Sequence, residues 1–135
     1  MHQRWASFCM DRVYNILLDE KLIGTTTFEK ADAPMGVVFG QIKFLDIGTP
    51  YDFFKSYCKK NNIDFEDFPD DKVISTRTIP TLKITNDKGL EITGLGNQIS
   101  GMESDIFELT IEGIPYPFYG DEFPHHVKAY EERFE

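Results

Sequence analysis

The stretch DIFELTIE, residues 105–112, alternates apolar and polar side chains with a period of two. One face would carry Phe107, Leu109 and Ile111, and the other Glu108, Thr110 and Glu112. Successive side chains of a strand point to opposite faces, so this pattern is typical of a strand with one face on a core and one in solvent. The stretch therefore predicts a half-buried β-strand whose glutamates face outward.

Two β-rich runs near the start of the chain predict a hairpin. Residues 12–18 (RVYNILL) and 21–28 (KLIGTTTF) are rich in β-branched and aromatic residues, and only Asp19 and Glu20 separate them. So short a connection joins antiparallel strands.

Further strand candidates are shorter or interrupted. Gly40 lies inside one of them, which indicates a bulge or a close backbone approach. The sequence NDKG at 86–89 predicts a hairpin turn, because Asn, Asp and Gly tolerate positive φ. The candidates are residues 37–47, 73–79, 81–85 and 90–93.

The clearest helix signal begins at Gly48-Thr49-Pro50. Thr49 can cap with its hydroxyl, Pro50 suits the first helical position and Asp52 favours the positive end of the helix dipole. An apolar stripe then predicts a helix over about 50–61 that packs on a sheet. The stripe consists of Phe53, Phe54, Tyr57 and Cys58.

The remaining segments complete an α+β domain. Residues 63–71 (IDFEDFPDD) predict an acidic, aromatic loop, residues 113–120 an extended proline-rich segment, and Phe123-Pro124 the start of a short C-terminal helix. We expect a mostly antiparallel β-sheet of about six or seven strands, with the helix at about 50–61 packed on it. The length predicts a single domain over 1–135, in which residues 1–9 are either a disordered leader or an extra edge segment.

Charge narrows the classes of partner. The 23 acidic and 14 basic residues give a net charge of -9. Residues 103–135 alone hold nine acidic residues against Lys128 and Arg133. Because proteins bind phosphate backbones through Lys and Arg, this balance disfavours nucleic acid and anionic membrane surfaces. No apolar run approaches the roughly 20 residues of a membrane span, and the first ten residues do not resemble a secretory signal, so we expect a cytoplasmic protein.

The sequence offers no catalytic, cofactor or metal motif. His125 and His126 are adjacent, and neighbouring side chains on a helix diverge too far to bind one metal ion easily. Cys9 and Cys58 have no zinc-type spacing. Gly94 and Gly96 have no third glycine at the offset of a dinucleotide site. We therefore predict no cofactor, no metal and no catalytic residue, and consider catalysis less favoured than binding.

What remains is an acidic C-terminal third that contains aromatic side chains. Aromatic anchors surrounded by acids suit a protein that binds a basic partner, since the aromatics supply buried area and the acids steer association. The same sequence also fits a tail that packs on the core beneath an acidic rim. The predicted partner-binding residues are Glu108, Glu112, Tyr116, Phe118, Tyr119, Asp121 and Glu122.

The stretch YNILLDEKLIGTTTFEKADAPMGVVFGQI, residues 14–42, looks like part of a small stand-alone bacterial domain. The acidic, motif-free character of the chain is similar to that of immunity proteins, which neutralise basic toxins. That similarity implies a protein-interaction domain, namely an immunity-type inhibitor of a basic protein toxin such as a nuclease, and it assigns no role to any residue. The alternative is a small enzyme or ligand-binding domain with a pocket between the sheet and the helix at 49–62.

Overall fold

Ten strands and three α-helices follow one another in the computed structural model, which describes residues 12–133. The helices are α1 (Pro50–Lys60), α2 (Phe118–Glu122) and α3 (Pro124–Glu132), and a 3₁₀ turn spans Ala33–Met35. The strands are β1 (Tyr14–Leu18), β2 (Lys21–Thr26), β3 (Lys30–Asp32), β4 (Val37–Gln41), β5 (Lys43–Phe44), β6 (Phe65–Phe68), β7 (Val73–Thr76), β8 (Leu82–Thr85), β9 (Gly96–Met102) and β10 (Phe107–Glu112).

The strands form two antiparallel sheets. The four-stranded sheet has the order β5-β2-β1-β8, and the six-stranded sheet has the order β3-β4-β10-β9-β7-β6. The predicted antiparallel α+β fold is confirmed, with its strands divided between these two sheets. The predicted β1–β2 hairpin is confirmed as well. Asp19 and Glu20 both have positive φ, as a tight two-residue connection requires.

The predicted strand at 37–47 crosses from one sheet to the other. It divides at Ile42 into β4 of the six-stranded sheet and β5 of the four-stranded sheet. Ile42 is buried, and its N–H donates to the Phe107 carbonyl at 2.8 Å. Gly40 lies against the chain at Phe28, where an added Cβ would stand 2.9 Å from the Phe28 Cα. The close backbone approach predicted at Gly40 is therefore confirmed.

The core lies between the two sheets. Phe107, Leu109 and Ile111 point inward from β10, as the alternation of that strand predicts. They share one apolar cluster with Ile16 of β1. Phe44 of the four-stranded sheet meets Phe107 edge-on, with ring centroids 5.8 Å apart. The outward-facing residues of β10 consequently lie on the side of the six-stranded sheet that faces away from the core.

Helix α1 confirms the predicted helix and packs on the inner face of β6 and β7. Phe54 is fully buried, and its ring stacks with that of Phe107 at 6.3 Å. The predicted cap is wrong, because the Thr49 side chain makes no capping hydrogen bond. Instead the Tyr51 N–H donates to Glu103 Oε1 at 2.9 Å. A carboxylate from the β9–β10 turn thus accepts a hydrogen bond from a backbone N–H in the first turn of the helix, which has no partner within the helix.

Three local predictions need correction. The predicted loop at 63–71 contains strand β6, and the predicted strand at 90–93 makes only a bridge between Thr85 and Glu91. Strand β9 was not predicted, since its sequence GNQISGM has a single large aliphatic residue before its final Met. The pairing of β9 with β7 and β10 overrides that weak local preference.

The C-terminal segment closes one end of the core. Helix α3 confirms the predicted short helix, whereas α2 begins at Phe118, inside the segment predicted to be extended. Burial of Tyr119 and Phe123 stabilises this turn of helix, which local sequence does not favour. Within the described range no helix is both long and apolar enough to cross a membrane. The prediction for residues 1–9 lies outside the described residues.

Candidate functional site

The glutamates of β10 lie on the outer face of the six-stranded sheet, as predicted. Glu112 is exposed, and Glu108 is half-buried beside its cross-strand neighbours Gln41 and Ser100. The Lys30 ammonium lies 3.3 Å from Glu108 Oε2. This ion pair is largely solvated, so it contributes at most about 1 kcal/mol to stability.

The aromatic residues that follow β10 mainly pack against the core. The Tyr119 hydroxyl donates to the Val37 carbonyl at 2.9 Å, and the Tyr116 hydroxyl donates to the Ala33 carbonyl at 2.8 Å. Tyr119 is fully buried, and burial raises its pKa. Phe118 is half-buried, while Tyr116 and Asp121 keep an exposed side.

Glu122 is a buried carboxylate that connects three parts of the chain. Its Oε2 accepts from the Tyr14 hydroxyl at 2.9 Å and from Arg12 at 3.4 Å, and its Oε1 accepts from Asn86 Nδ2 at 3.2 Å. Burial and the hydrogen bond to Glu122 raise the pKa of Tyr14. Glu122 therefore joins α2 to β1 and to the turn after β8, and it is not available to a partner.

The predicted partner-binding residues therefore do not form one surface. Glu108 and Glu112 lie on the sheet, Tyr116, Phe118 and Asp121 lie beyond the end of β10, and Tyr119 and Glu122 lie in the interior. Spacing along the chain did not distinguish these positions, since each lies within a region of mixed acids and aromatics.

A second acidic and apolar surface lies at the opposite end of the six-stranded sheet. Phe68 pairs with Val73, and Val73 pairs with Met102, so the three side chains form one row across β6, β7 and β9. Ile106 ends the adjoining β9–β10 turn. Exposed fractions are 54% for Phe68, 40% for Met102 and 50% for Ile106. Directly opposed side chains in a sheet lie about 5 Å apart, so Phe68, Val73 and Met102 form a continuous row.

Acidic residues lie in the two turns next to this row, one of which also carries the exposed Lys72. Asp70 and Asp71 lie in the β6–β7 turn, and Asp105 lies in the β9–β10 turn. The two turns meet where the Glu103 N–H donates to the Lys72 carbonyl at 3.0 Å. We call the four apolar residues and these three aspartates the sheet-end surface. In the described part of the chain, none of the three aspartates forms an ion pair.

A polar cluster on α1 holds the sheet-end surface in place. Asp67, on the inner face of β6, accepts a hydrogen bond from the Tyr51 hydroxyl and lies 2.9 Å from the Lys55 ammonium. These two contacts, that of Tyr51 first, hold the pKa of Asp67 below its ordinary value. Together with the Glu103 contact to Tyr51, they fasten β6 and the β9–β10 turn to one helix.

The sequence did contain a signal for this surface. Residues 63–71 stand out as acids interleaved with phenylalanine, but their interpretation as a loop left the direction of each side chain undefined. Phe65 and Asp67 face inward and Glu66 and Phe68 face outward, a period of two that spans only four residues. Only the pairing of both strands with β7 puts Phe68 and Met102 on either side of Val73, although Met102 is 34 positions later in the chain than Phe68.

A groove of about 830 Å³ lies between α1 and the β1–β2 hairpin, where the alternative interpretation places a pocket. Leu22 and Leu45 line it with exposed fractions of 42% and 44%, and Phe53 adds an aromatic wall. Its volume is within the range of small-molecule sites. Charged side chains of both signs also line it, namely Asp19, Asp46, Asp52, Lys21 and Lys60.

The paired histidines differ from a metal site in their surroundings. His126 Nε2 lies 2.7 Å from the Phe28 carbonyl, and its ring packs 6.0 Å from that of Phe123. Among residues 12–133, no three His, Cys, Asp or Glu side chains converge in a way that could hold a metal ion. His126 is thus a packing residue that links α3 to the segment after β2.

Burial lowers the pKa of His126 below its ordinary value of 6.5. The unfolded chain therefore binds this proton at pH values where the folded chain does not, and the free energy of unfolding should fall as pH drops below about 6.5. Urea unfolding at pH 7.5 and 5.5 measures how much the free energy of unfolding falls between these pH values. This decrease should be smaller for His126→Gln than for the unmodified protein, and the glutamine amide can still donate to the Phe28 carbonyl. Equal losses in both proteins would contradict this assignment.

Comparison with protein families, curated proteins and solved structures yields no match for this chain. Its function therefore has to be argued from the sheet-end surface and the groove.

Proposed function

We propose that this protein is an acidic protein-interaction domain that binds a basic protein through the sheet-end surface. The observation that carries the proposal is the row of Phe68, Val73 and Met102 on the outer face of the sheet, in which Phe68 and Met102 are exposed and Val73 is half-buried. Asp70 and Asp71 lie in the adjoining turn. Contiguous apolar patches rimmed by polar residues mark protein interaction sites.

Geometry supports a protein as the ligand of this surface. The row runs across strands that are hydrogen-bonded to one another, so its side chains are held at fixed spacing before a partner arrives. A rigid apolar centre loses little conformational entropy on binding, and surrounding acidic groups exclude mismatched partners. We expect the side chains of Phe68 and Met102 to contribute most of the binding free energy.

Charge supports a basic partner. The net charge of -9 attracts cationic proteins at long range, and the unpaired aspartates of the sheet-end surface set the orientation at contact. A nuclease needs an electropositive site to bind phosphates, and an acidic surface can occupy that site. We therefore propose a cytoplasmic, immunity-type inhibitor of a basic protein toxin such as a nuclease.

Affinity capture from a lysate of the source organism tests this proposal. The immobilised protein should retain a basic protein in 50 mM salt and release it as the salt approaches about 500 mM, where the Debye length is only a few ångströms. The purified partner should then bind the free protein in titration calorimetry and lose its own activity. Retention of neutral or acidic proteins only, or binding that is insensitive to salt, would contradict the proposal.

The groove favours a second candidate function, that of a ligand-binding domain. Its exposed leucines and its charged lining can bind a small ligand that has both apolar and polar groups. The groove is lined by α1, the β1–β2 hairpin and residues 45–49. The sheet-end surface is formed by β6, β7, the end of β9 and the turns between these strands and before β10. The two functions can therefore be tested separately.

A further inference from the structure

Strand β6 is an edge of the six-stranded sheet and has no strand on its outer side among residues 12–133. The other sheet edges are covered or shorter. Helix α3 lies against β3, Thr85 of β8 bridges to Glu91, and β5 has two residues. An unpaired strand edge can pair with a strand of another chain.

The free backbone groups of this edge belong to Phe65 and Asp67. The Arg77 N–H donates to the Asp64 carbonyl at 2.9 Å, just before β6 begins. Hydrogen-bonded pairs alternate along antiparallel strands, so Glu66 also bonds to β7. The N–H and C=O groups of Phe65 and Asp67 consequently point away from β7, and in the described part of the chain none of these groups has a hydrogen-bond partner. They offer two donors and two acceptors to an added strand.

The side chains along this edge determine which kind of strand fits. Asp64, Glu66 and Phe68 follow one another on the outer face of the sheet, and all three are exposed. Neither carboxylate belongs to an ion pair with another described residue. Cross-strand neighbours lie about 5 Å apart, so two cationic side chains and one apolar side chain match these positions. The apolar side chain would extend the row of Phe68, Val73 and Met102 by one position.

The same charges oppose pairing with a second copy of this chain. Antiparallel pairing of two copies of β6 can be centred on Phe65, Glu66 or Asp67. These registers place Glu66 opposite Asp64, Glu66 opposite Glu66, and Asp67 opposite Asp67, respectively. Like charges directly opposed in a sheet are destabilising, and the net charge of -9 on each copy adds to the repulsion. The edge therefore favours a cationic strand over its own copy.

We propose that the basic partner adds an extended segment to β6 as an antiparallel strand. Every strand pair in the two sheets is antiparallel, and such pairing is slightly more stable per residue than parallel pairing. Main-chain hydrogen bonds then supply affinity, and alternate side chains supply specificity. This inference rests on the proposed function, because it names the part of the partner that reaches the sheet-end surface.

The peptide acetyl-Val-Thr-Lys-Val-Lys-amide is the probe for this edge. Added antiparallel to β6, it places its first valine beside Phe68 and its lysines beside Glu66 and Asp64. Titration of the whole chain, followed by NMR, should shift the backbone amides of Phe65 and Asp67. No shift of these amides with millimolar peptide would overturn the inference.

N-methylation of the peptide tests the main-chain hydrogen bonds. The threonine and the second valine lie opposite Asp67 and Phe65, so methyl groups on their nitrogens remove both donors to the edge. Affinity should fall about fivefold or more. Methyl groups on the two lysine nitrogens, which point to solvent, are the matched control and should weaken binding less than about twofold. Equal affinities of the two methylated peptides would overturn strand addition.

Charge variants test the position of the peptide. Asp64→Asn with Glu66→Gln should weaken its binding about fivefold. Glu112→Gln with Asp121→Asn removes the same charge from exposed positions outside β6 and is the matched control. An equal loss in both double variants would show that the peptide responds to net charge alone and would overturn the inference.

Hydrogen exchange in the complex separates this inference from the proposed function. The captured partner should slow exchange of the Phe65 and Asp67 amides about tenfold or more, and that of the Glu66 amide, already bonded to β7, less. A partner that depends on Phe68 and Met102 but leaves the Phe65 and Asp67 amides unprotected would overturn strand addition and leave the proposed function standing. Binding of the peptide to β6 without capture of any basic protein would contradict the proposed function alone.

Discussion

Replacement of Glu122 by alanine should lower the free energy of unfolding by about 3 kcal/mol. The change leaves the Tyr14 hydroxyl and the Asn86 amide without the carboxylate to which they now donate, and both side chains are buried. Each buried donor without a partner costs about 1–3 kcal/mol. Urea unfolding at pH 7, followed by circular dichroism, measures the loss.

Two variants separate the hydrogen bonds of Glu122 from a general effect of altering α2. Asp121→Ala changes the exposed neighbouring carboxylate and should shift stability by no more than about 0.5 kcal/mol. Glu122→Gln keeps one oxygen acceptor and should lose less than Glu122→Ala. A loss as large for Asp121→Ala as for Glu122→Ala would show that the network around Glu122 does not hold the C-terminal segment.

Substitution of Phe68 and Met102 together by serine should weaken binding of the basic partner by about 30-fold or more. Truncation of a central interface anchor typically costs about 2 kcal/mol, which corresponds to that factor in Kd. Because both side chains already face solvent, the free energy of unfolding should change little. Calorimetry with the captured partner gives Kd, and urea unfolding confirms that the variant is folded.

Leu90→Ser is the matched control for the sheet-end surface. Leu90 is 51% exposed, close to the 54% of Phe68, but it lies in the turn after β8. Its substitution should leave Kd unchanged. Equal weakening by Leu90→Ser, or none by the double variant, would contradict the location of the interface.

Charge reversal at Asp70 and Asp71 should act mainly on the association rate. Exposed charges at the rim of an interface steer encounter more than they hold the complex together. Stopped-flow association of the Asp70→Lys, Asp71→Lys variant should be slower at low salt and depend less on salt. An unchanged salt dependence would place the partner elsewhere on the protein.

Sequence patterns predicted the fold wherever one residue pattern covered a whole element. The alternation at 105–112, the two-residue connection at Asp19-Glu20 and the apolar stripe of α1 each contain enough residues to define the element alone. Two strands could not be predicted from such a pattern. Strand β6 has four residues and β9 is mostly polar, so pairing with β7 defines them more than propensity does.

For the candidate site too, local sequence predicted one part, and contacts between distant segments determined the rest. Acidity and aromatic content predicted which kinds of side chain a partner would meet, but could not predict which of them reach solvent. Tyr119 and Asp121 lie two residues apart in a similar sequence context, and one is fully buried while the other is exposed. Both residues lie in α2, which packs on the core with the side of Tyr119 and not with that of Asp121. The spacing of residues in the sequence does not predict that packing.

The alternation of DIFELTIE by itself determined that Glu108 and Glu112 face away from the core, because side-chain direction in a strand follows from the backbone alone. Composition likewise determined the acidic character of the chain. Only the tertiary structure decided that Phe68, Val73 and Met102 share one row on the outer face of the sheet and that Glu122 lies inside. Those positions depend on pairing between segments distant in the chain, whose register results from burial of the whole core.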